Sequence, residues 1–215
     1  MEFALLFLPL SASIISGFFG KFIGDRNSEI ITSVFVSISA LLSLTLFYQV
    51  IVNGYENNVV IATWINSGTL DVNWSIKVDA LSSVMLVVVT LVSSLVHIYS
   101  IGYMSHDPHK PRFMAYLSLF TFAMLTLVTS DNFLQLFFGW EGVGLCSYFL
   151  IGFWYKKDSA NAAAIKAFVV NRVGDFGFAL GIFLIFYLFG TVNYSEVFQQ
   201  IPQIVDKELL FLGIH

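Results

Sequence analysis

The sequence contains few charged residues, only 11% of its 215 positions. Soluble globular domains carry about 25%, so this composition excludes an ordinary soluble protein. Hydrophobic residues reach 57% and the mean hydropathy is +0.81, which is typical of a chain with several membrane-spanning segments. The net charge of −4 argues against a nucleic-acid partner, because such proteins present basic surfaces.

The sequence also lacks the residues that would hold a redox cofactor or a metal. Its one cysteine, Cys146, can form neither a disulfide within the chain nor a cysteine cluster, and its apolar surroundings favour an inert thiol. There is no dinucleotide-binding glycine fingerprint and no histidine pair placed to ligate haem. We therefore predict that this chain itself binds no redox cofactor and no metal.

Six apolar segments are long enough to cross a hydrocarbon core of about 30 Å as helices. They are predicted at about 3–22, 30–52, 79–104, 112–128, 132–155 and 161–189. Residues 191–208 form a polar connection, and the apolar residues 209–214 could begin a seventh span. The predicted fold class is an all-α polytopic membrane protein.

The connection between the second and third spans has the pattern of a β-strand. Apolar and polar residues alternate from 70 to 78, which places one set on each face of a strand. Residues 59–65 are also strand-like, and residues 66–68 supply a turn between the two runs. We expect an extramembrane β-hairpin lying on the membrane surface, with Trp64 and Trp74 at the interface, where tryptophan is enriched.

Basic residues are divided unevenly between the two sets of turns. The turns after the first, third and fifth spans contain Lys21, Arg26, Lys110, Arg112, Lys156 and Lys157. The opposite turns contain only Lys77 and Lys207. By the positive-inside rule, the first set faces the cytoplasm, or the matrix of an organelle. The N-terminus and the hairpin then face the other compartment.

Four ionisable residues lie inside the fifth and sixth spans: Glu141, Lys166, Arg172 and Asp175. At a rise of about 1.5 Å per residue, Glu141 lies ~14–15 Å into the fifth span, near the middle of a ~30 Å core. The sixth span runs back and places Lys166 ~8 Å and Arg172 ~17 Å from its start. Glu141 and Arg172 should therefore be level, with Asp175 on the same helix face as Arg172.

Charges at this depth are costly and usually mark ion pathways, so the four residues predict a proton relay. The alternative is that they form structural ion pairs between packed helices. His97, toward the far end of the third span, either hydrogen-bonds a neighbour or belongs to a proton path, since histidine titrates near neutral pH. Asp79 is predicted to cap the third span or to lie in its first turn.

Two strings of this sequence resemble the antiporter-like membrane subunits of respiratory complex I, the chain 5 or subunit L family of NADH:quinone oxidoreductase. They are GWEGVGLCSYFLIGFWY (139–155) and AAAIKAFVVNRVGDFG (162–177). Three shorter strings fit the same family: DALS (79–82), VHIYSIGYM (96–104) and SDNFLQLFFGW (130–140). The resemblance covers nearly the whole chain and is weakest at 24–76 and after 191.

This resemblance implies a proton-translocating subunit in which Glu141 is the leading site residue. In the family, the matching glutamate pairs with a lysine in a GKSAQ-type motif on the seventh span, which these residues do not include. Arg172 and Asp175 match a family pair thought to shape the electrostatics nearby. Lys166 could stand where protons arrive from the basic side.

Family members have more spans, so the resemblance implies that this is an N-terminal part. Residues 1–78 would then hold the first two helices and the hairpin, and residues 79–215 would begin the antiporter-like proton-translocation domain. NADH, FMN, iron–sulfur clusters and quinone would be bound by partner subunits. The partners of this chain would be the other membrane subunits of complex I, the lipid bilayer and protons.

The implied location is the bacterial inner membrane, or the mitochondrial inner membrane for an organelle-encoded chain. The first residues lack the basic region of a signal peptide, which favours a first span that is retained. Two other functions remain open on the sequence. One is the large subunit of a multisubunit Na+/H+ (Mrp-type) antiporter, which shares the same motifs. The other is an inert membrane scaffold, against which the four intramembrane charges count.

Overall fold

The computed structural model describes residues 1–204. In chain order its elements are α1 (Glu2–Ile23), α2 (Asp25–Asn53), β1 (Asn57–Ser67), β2 (Leu70–Val78), α3 (Ala80–Tyr103), α4 (Lys110–Val128), α5 (Phe133–Ile151), α6 (Asp158–Phe189) and α7 (Tyr194–Ile204). Helices α1 to α6 are all long and apolar enough to cross a membrane. The predicted all-α polytopic membrane fold with an extramembrane hairpin is confirmed. The expected start of a seventh span at 209–214 lies outside the described residues.

Helix α7 occupies a stretch that the sequence predicts to be a polar connection. It is 11 residues long, too short to cross a membrane. One face is anchored: Val197 is buried, and the ring of Tyr194 packs edge-on against Phe133 with 4.7 Å between the ring centroids. After α6 the chain therefore turns and forms a short helix that packs against the start of α5.

The turn between α1 and α2 is a single residue, Gly24, with φ of +87°. This backbone region is readily open only to glycine, and it lets α2 begin at Asp25, earlier than the predicted start near residue 30. As a result Glu29 lies within the helix rather than in a polar connection, and it is buried. Its partner is Lys110, at 4.0 Å.

The first four helices form one packed unit. Helix α1 packs on α2 and α4, α2 packs on α3 and α4, and α3 packs on α4. Lipid provides no hydrophobic driving force for helices to associate. Membrane helices therefore associate through close packing of small side chains and hydrogen bonds between hydroxyl-bearing ones. Ser43 and Thr90 share a 2.7 Å hydrogen bond between α2 and α3, and Ser13 donates across to the carbonyl of Ala115 on α4. These contacts join residues on either side of position 78. The division into 1–78 and 79–215 stays a prediction.

Helix α5 packs on α4, and α6 packs on α5. The turns after α1, α3 and α5 meet at one end of the molecule, where Lys110 approaches Glu29 and Arg112 donates to the carbonyl of Phe153. We call this end the basic end. At the other end Glu2 accepts a 2.6 Å hydrogen bond from the Tyr55 hydroxyl, beside the hairpin. The basic turns therefore share one side, as the sequence predicts.

Strands β1 and β2 pair antiparallel from Asn57–Val78 to Ser67–Leu70, which confirms the predicted hairpin. The turn is slightly displaced from the predicted 66–68: it is made by the two residues between Ser67 and Leu70, with Gly68 at φ +61°. Two irregularities interrupt the register of β1. They shift its side chains relative to those of β2.

The inner face of the hairpin is buried against the helices, so the hairpin is part of the packed core. Val72, Ile76 and Val78 are all at most 1% exposed. Ile76 and Val78 join the core formed by α1 to α4, and Val72 packs with residues of α6 and the following turn. Trp74 packs edge-on against Phe138 of α5, with 4.8 Å between ring centroids.

Polar side chains at the start of α5 fasten the hairpin to the helices. The Gln135 amide donates to the Ser75 carbonyl at 2.7 Å and accepts from the Ser75 N–H at 3.0 Å. The Asn132 side chain donates to the Asn73 carbonyl, and Lys77 forms a 3.1 Å salt bridge with Asp131. The hairpin thus uses helix α5, which carries the candidate site, as its support.

Candidate functional site

Helix α5 presents Glu141 to α6 because its opposite face is pressed against α4. A methyl group on Gly139 would lie 2.7 Å from the backbone of Leu127, and one on Gly142 would lie 3.0 Å from the Ala123 side chain. Glycine at these positions lets the two backbones approach closely, as in other membrane helix pairs. Trp140 and Glu141, on the other side of α5, are left to contact α6.

Glu141 and Arg172 form a direct ion pair between α5 and α6. Arg172 Nη1 donates to both carboxylate oxygens of Glu141, a charge-assisted contact. The two side chains therefore lie at the same level of the helix pair, as the helix rise predicts, while their depth in the membrane stays a prediction. The Glu141 side chain is 24% exposed and that of Arg172 is 50% exposed, so the pair lies at the outer edge of the described helices.

Asp175 is the second carboxylate of the group, one helical turn beyond Arg172. Its Oδ2 lies 3.7 Å from Arg172 Nη1, and its Oδ1 accepts a 2.8 Å hydrogen bond from the indole nitrogen of Trp140. The side chain is only 8% exposed. Arg172 is therefore shared between two carboxylates, and the guanidinium also lies 4.9 Å from the ring centroid of Phe168.

We call Glu141, Arg172 and Asp175 the Glu141 group. It holds one positive and two negative formal charges. One bound proton would make it neutral. Both carboxylates face the same guanidinium, so they share one positive charge. The arrangement can hold one proton, release it, or pass it between two sites on neighbouring helices.

Lys166 does not join this group. It lies on the exposed side of α6 and makes no ion pair with any residue in the part of the chain that the structure describes. Arg172 lies six positions further along the helix, which corresponds to ~9 Å along the axis and a rotation of roughly 120° around it. The structure thus brings three of the four ionisable residues together and leaves Lys166 nearer the basic end.

His97 belongs to a different pair of helices. It is fully buried; its Nδ1 lies 2.7 Å from the Ser93 carbonyl and its Nε2 lies 3.0 Å from the Ser118 hydroxyl. A neutral imidazole with its proton on Nδ1 would donate to the carbonyl and accept from the hydroxyl. The geometry therefore fits a histidine that joins α3 to α4, while a role in a proton path stays a prediction.

Trp140 is a site residue that sequence reasoning did not identify. Its place in an aromatic stripe of α5 suggests packing against lipid or protein. The feature of the sequence that could have identified it is the indole N–H. A donor within a membrane span needs an acceptor, and Asp175 supplies one. Asp79 behaves as predicted: its carboxylate accepts from the Ser82 N–H and caps α3.

Comparison with known proteins connects this geometry to a family. Residues 64–114 match the family described as "NADH-Ubiquinone oxidoreductase (complex I), chain 5 N-terminus", and residues 130–215 match "NADH:quinone oxidoreductase/Mrp antiporter, TM". The chain is 53% identical over 213 residues to NADH-ubiquinone oxidoreductase chain 5 of Chondrus crispus. It is 50% identical over 206 residues to NADH-quinone oxidoreductase subunit L of Rickettsia bellii.

The chain belongs to the chain 5/subunit L family of antiporter-like membrane proteins. The similarity to the Chondrus protein covers 99% of this chain but 32% of that relative, and the Rickettsia match covers 96% and 32%. The chain thus spans about a third of the length of these relatives. It aligns along nearly its full length, including the residues of the Glu141 group.

Two solved structures share the fold. An archaeal membrane-bound sulfane sulfur reductase superposes with a TM-score of 0.78 at 19% identity, over 92% of this chain and 39% of that chain. The Mrp complex from Dietzia sp. gives a TM-score of 0.78 at 22% identity, over 94% of this chain and 21% of that chain. The helix arrangement of the chain 5/subunit L family is therefore found in other membrane complexes as well.

Proposed function

We propose that this chain is part of the proton-translocating membrane subunit of an NADH:quinone oxidoreductase. The observation that carries the proposal is the Glu141–Arg172 ion pair with Asp175 beside it, because such a group can exchange a proton within the membrane. The relatives at 50–57% identity support it by their names, chain 5 and subunit L.

The proposed mechanism follows from the cost of charge in a low-dielectric medium. A carboxylate that loses its cationic neighbour in hydrocarbon is stabilised by binding a proton. While Arg172 lies against Glu141, its positive charge stabilises the charged form of that carboxylate. Movement of the guanidinium toward Asp175, already 3.7 Å away, would make proton uptake by Glu141 favourable, and its return would drive the proton off.

The remaining parts of the proposal concern the surroundings of this chain. Its partners would be the other membrane subunits of complex I, and the redox cofactors would lie in partner subunits. Quinone reduction there would drive the movement of Arg172. The membrane would be the bacterial inner membrane or, for an organelle-encoded chain, the mitochondrial inner membrane.

The two other functions open on the sequence are less well supported. The Mrp-type antiporter is a related family, but the similarity to the Mrp complex lies at 22% identity, far below that to the complex I relatives. An inert scaffold would not need two carboxylates to share one guanidinium, since each unpaired or partly paired charge in a membrane is costly.

The decisive experiment replaces Glu141 with glutamine in the full-length subunit. Glu141→Gln keeps the side-chain volume and removes the titratable carboxylate. We expect assembly to persist and NADH-driven proton uptake by inverted membrane vesicles to fall sharply, with Glu141→Asp retaining more activity because it still titrates. Glu56→Gln makes the same chemical change at an exposed site and serves as the control. Normal proton uptake by Glu141→Gln at normal assembly would refute the relay.

A further inference from the structure

A cavity of about 340 Å³ lies at the basic end, between the start of α4, the end of α5 and the start of α6. Its lining is aromatic, with one cationic side chain: Arg112, Tyr116, Tyr148, Phe149, Tyr155 and Ile165 are among the residues that form it. None of these belongs to the Glu141 group. The cavity thus offers a separate site at the boundary where three membrane spans end.

The described residues supply few hydrogen-bond acceptors to the Arg112 guanidinium. A guanidinium has five N–H donors, yet the only hydrogen bond that Arg112 makes within residues 1–204 runs from Nη2 to the Phe153 carbonyl at 3.1 Å. Its Nε is buried without a partner. The guanidinium carbon lies 4.6 Å from the Phe153 ring centroid and 5.3 Å from that of Tyr155, so aromatic rings hold the cation in place without neutralising it.

No carboxylate of the described residues forms a salt bridge with Arg112. Asp107, an acidic neighbour in the preceding turn, accepts instead from the Trp154 indole at 2.9 Å and from the His109 N–H at 2.8 Å. Burial alone would raise the pKa of Asp107, but these hydrogen bonds and the positive charges of His109 and Arg112 hold it below its ordinary value. Lys157, whose Nζ lies 4.9 Å from the Trp154 ring centroid, adds further positive charge beside the cavity.

The cavity also offers hydroxyl groups and an apolar exit. Neither the Tyr116 nor the Tyr148 hydroxyl hydrogen-bonds another residue in the described part of the chain. From Ile165 an exposed and mainly apolar stripe continues along one face of α6 through Val169, Val173 and Phe176, each more than half exposed. The half-exposed Arg172 lies on the same face, beside Val169 and Val173. Positions 165, 169, 173 and 176 follow the helical repeat and therefore lie on one face.

We propose that this cavity binds the phosphate group of an anionic phospholipid, whose acyl chain lies along the apolar stripe of α6. Arg112 would donate to the phosphate from the nitrogens that the protein leaves unpaired, a strong charge-assisted interaction. The tyrosine hydroxyls would donate further hydrogen bonds. A lipid fits better than a free anion because the polar pocket opens onto an apolar surface at the end of membrane spans, where headgroup and acyl chain part.

The test counts retained lipid on the full-length protein, purified with the membrane subunits that accompany it and then delipidated. The sample is mixed with phosphatidylcholine vesicles, with or without phosphatidylglycerol, and bound lipid is counted by native mass spectrometry. The wild type should retain at least one phosphatidylglycerol that Arg112→Gln does not. Arg26→Gln is the matched control, because Arg26 is an exposed arginine of the basic end that does not line this cavity.

Three results would overturn the proposal. Equal retention by Arg112→Gln and the wild type would show that Arg112 holds no lipid. An equal loss in Arg26→Gln would show a general surface-charge effect. Displacement of the lipid by excess inorganic phosphate would assign the cavity to a free anion instead.

If Arg112→Gln does not assemble, Ile165→Trp provides a second test. This substitution keeps the arginine and fills the cavity from its α6 side. The same phosphatidylglycerol should be lost, and its retention would contradict the proposed position of the lipid.

Discussion

The indole nitrogen of Trp140 donates a 2.8 Å hydrogen bond to the carboxylate of Asp175 on the adjacent helix. Trp140 directly precedes Glu141, and Asp175 lies one turn beyond Arg172. The hydrogen bond and the Glu141–Arg172 ion pair therefore join the same turns of α5 and α6. The aromatic residue fixes one carboxylate, so the guanidinium has a stationary acceptor on one side of it.

We expect Trp140→Phe to weaken the contact between α5 and α6. The phenylalanine ring keeps much of the packing but cannot donate to the buried carboxylate, and a hydrogen bond to a charged group contributes roughly 1.5–3 kcal/mol. Thermal unfolding in detergent can be followed by the reaction of a maleimide with Cys146, which is buried in the folded protein. Trp64→Phe is the control, because the Trp64 indole donates to no other described residue. An equal melting temperature for Trp140→Phe and wild type would refute the contribution of this hydrogen bond.

The close approach of α5 to α4 predicts a different response at two glycines of the same helix. A methyl group on Gly139 would meet the Leu127 backbone at 2.7 Å, whereas a methyl group on Gly144 would have no atom within 4 Å of it. Gly139→Ala should destabilise the protein by about 1–3 kcal/mol, as overpacking does. Gly144→Ala should be neutral or stabilising by up to ~1 kcal/mol, since alanine favours helices. The same maleimide assay measures both, and equal effects at the two positions would contradict the packing described here.

Gln135 predicts how firmly the hairpin is held. Gln135→Leu removes both hydrogen bonds to Ser75 and leaves a buried N–H and a buried carbonyl unpaired, at a cost of roughly 1–3 kcal/mol each. Amide hydrogen exchange of β2 should become faster, because the hairpin opens more often. Gln199→Leu, at an exposed position of α7, should leave that exchange unchanged. Unaltered exchange of β2 in Gln135→Leu would show that apolar packing alone holds the hairpin.

The distribution of basic residues predicts the orientation in the membrane. In a Cys146→Ser background, a cysteine replacing Lys157 should react with a membrane-impermeant thiol reagent only from the cytoplasmic or matrix side. A cysteine replacing Thr69, at the hairpin turn, should react only from the opposite side. Labelling of position 157 from the hairpin side would reverse the assigned orientation.

Helix existence and the hairpin were predictable because each rests on a local pattern. Uninterrupted apolar stretches identify the spans, and the period-two alternation of 70–78 identifies β2. The helix boundaries were less predictable where a single residue makes the turn. Gly24 connects α1 to α2 without a loop, and nothing in the adjoining charges shows that Glu29 becomes buried.

The candidate site was predictable in height but not in rotation around the helix axis. Helix rise places Glu141 level with Arg172, and the structure brings the two into contact. Sequence proximity assigns Lys166 to the same group, but the face that it occupies on α6 depends on how α6 packs against α5. The Trp140–Asp175 hydrogen bond depends on the same packing, which Gly139 and Gly142 set on the far side of α5.

Helix α6 contains 32 residues, which corresponds to ~48 Å at a rise of about 1.5 Å per residue. This is well above the ~30 Å of a typical hydrocarbon core, so the helix must lean, project into the headgroups, or thicken the lipid around it. Arg172 lies on this helix, whereas Glu141 lies on the shorter α5, so a change in the tilt of α6 moves one side chain relative to the other. Bilayer thickness is thus a mechanical variable that acts on the distance between Arg172 and Glu141.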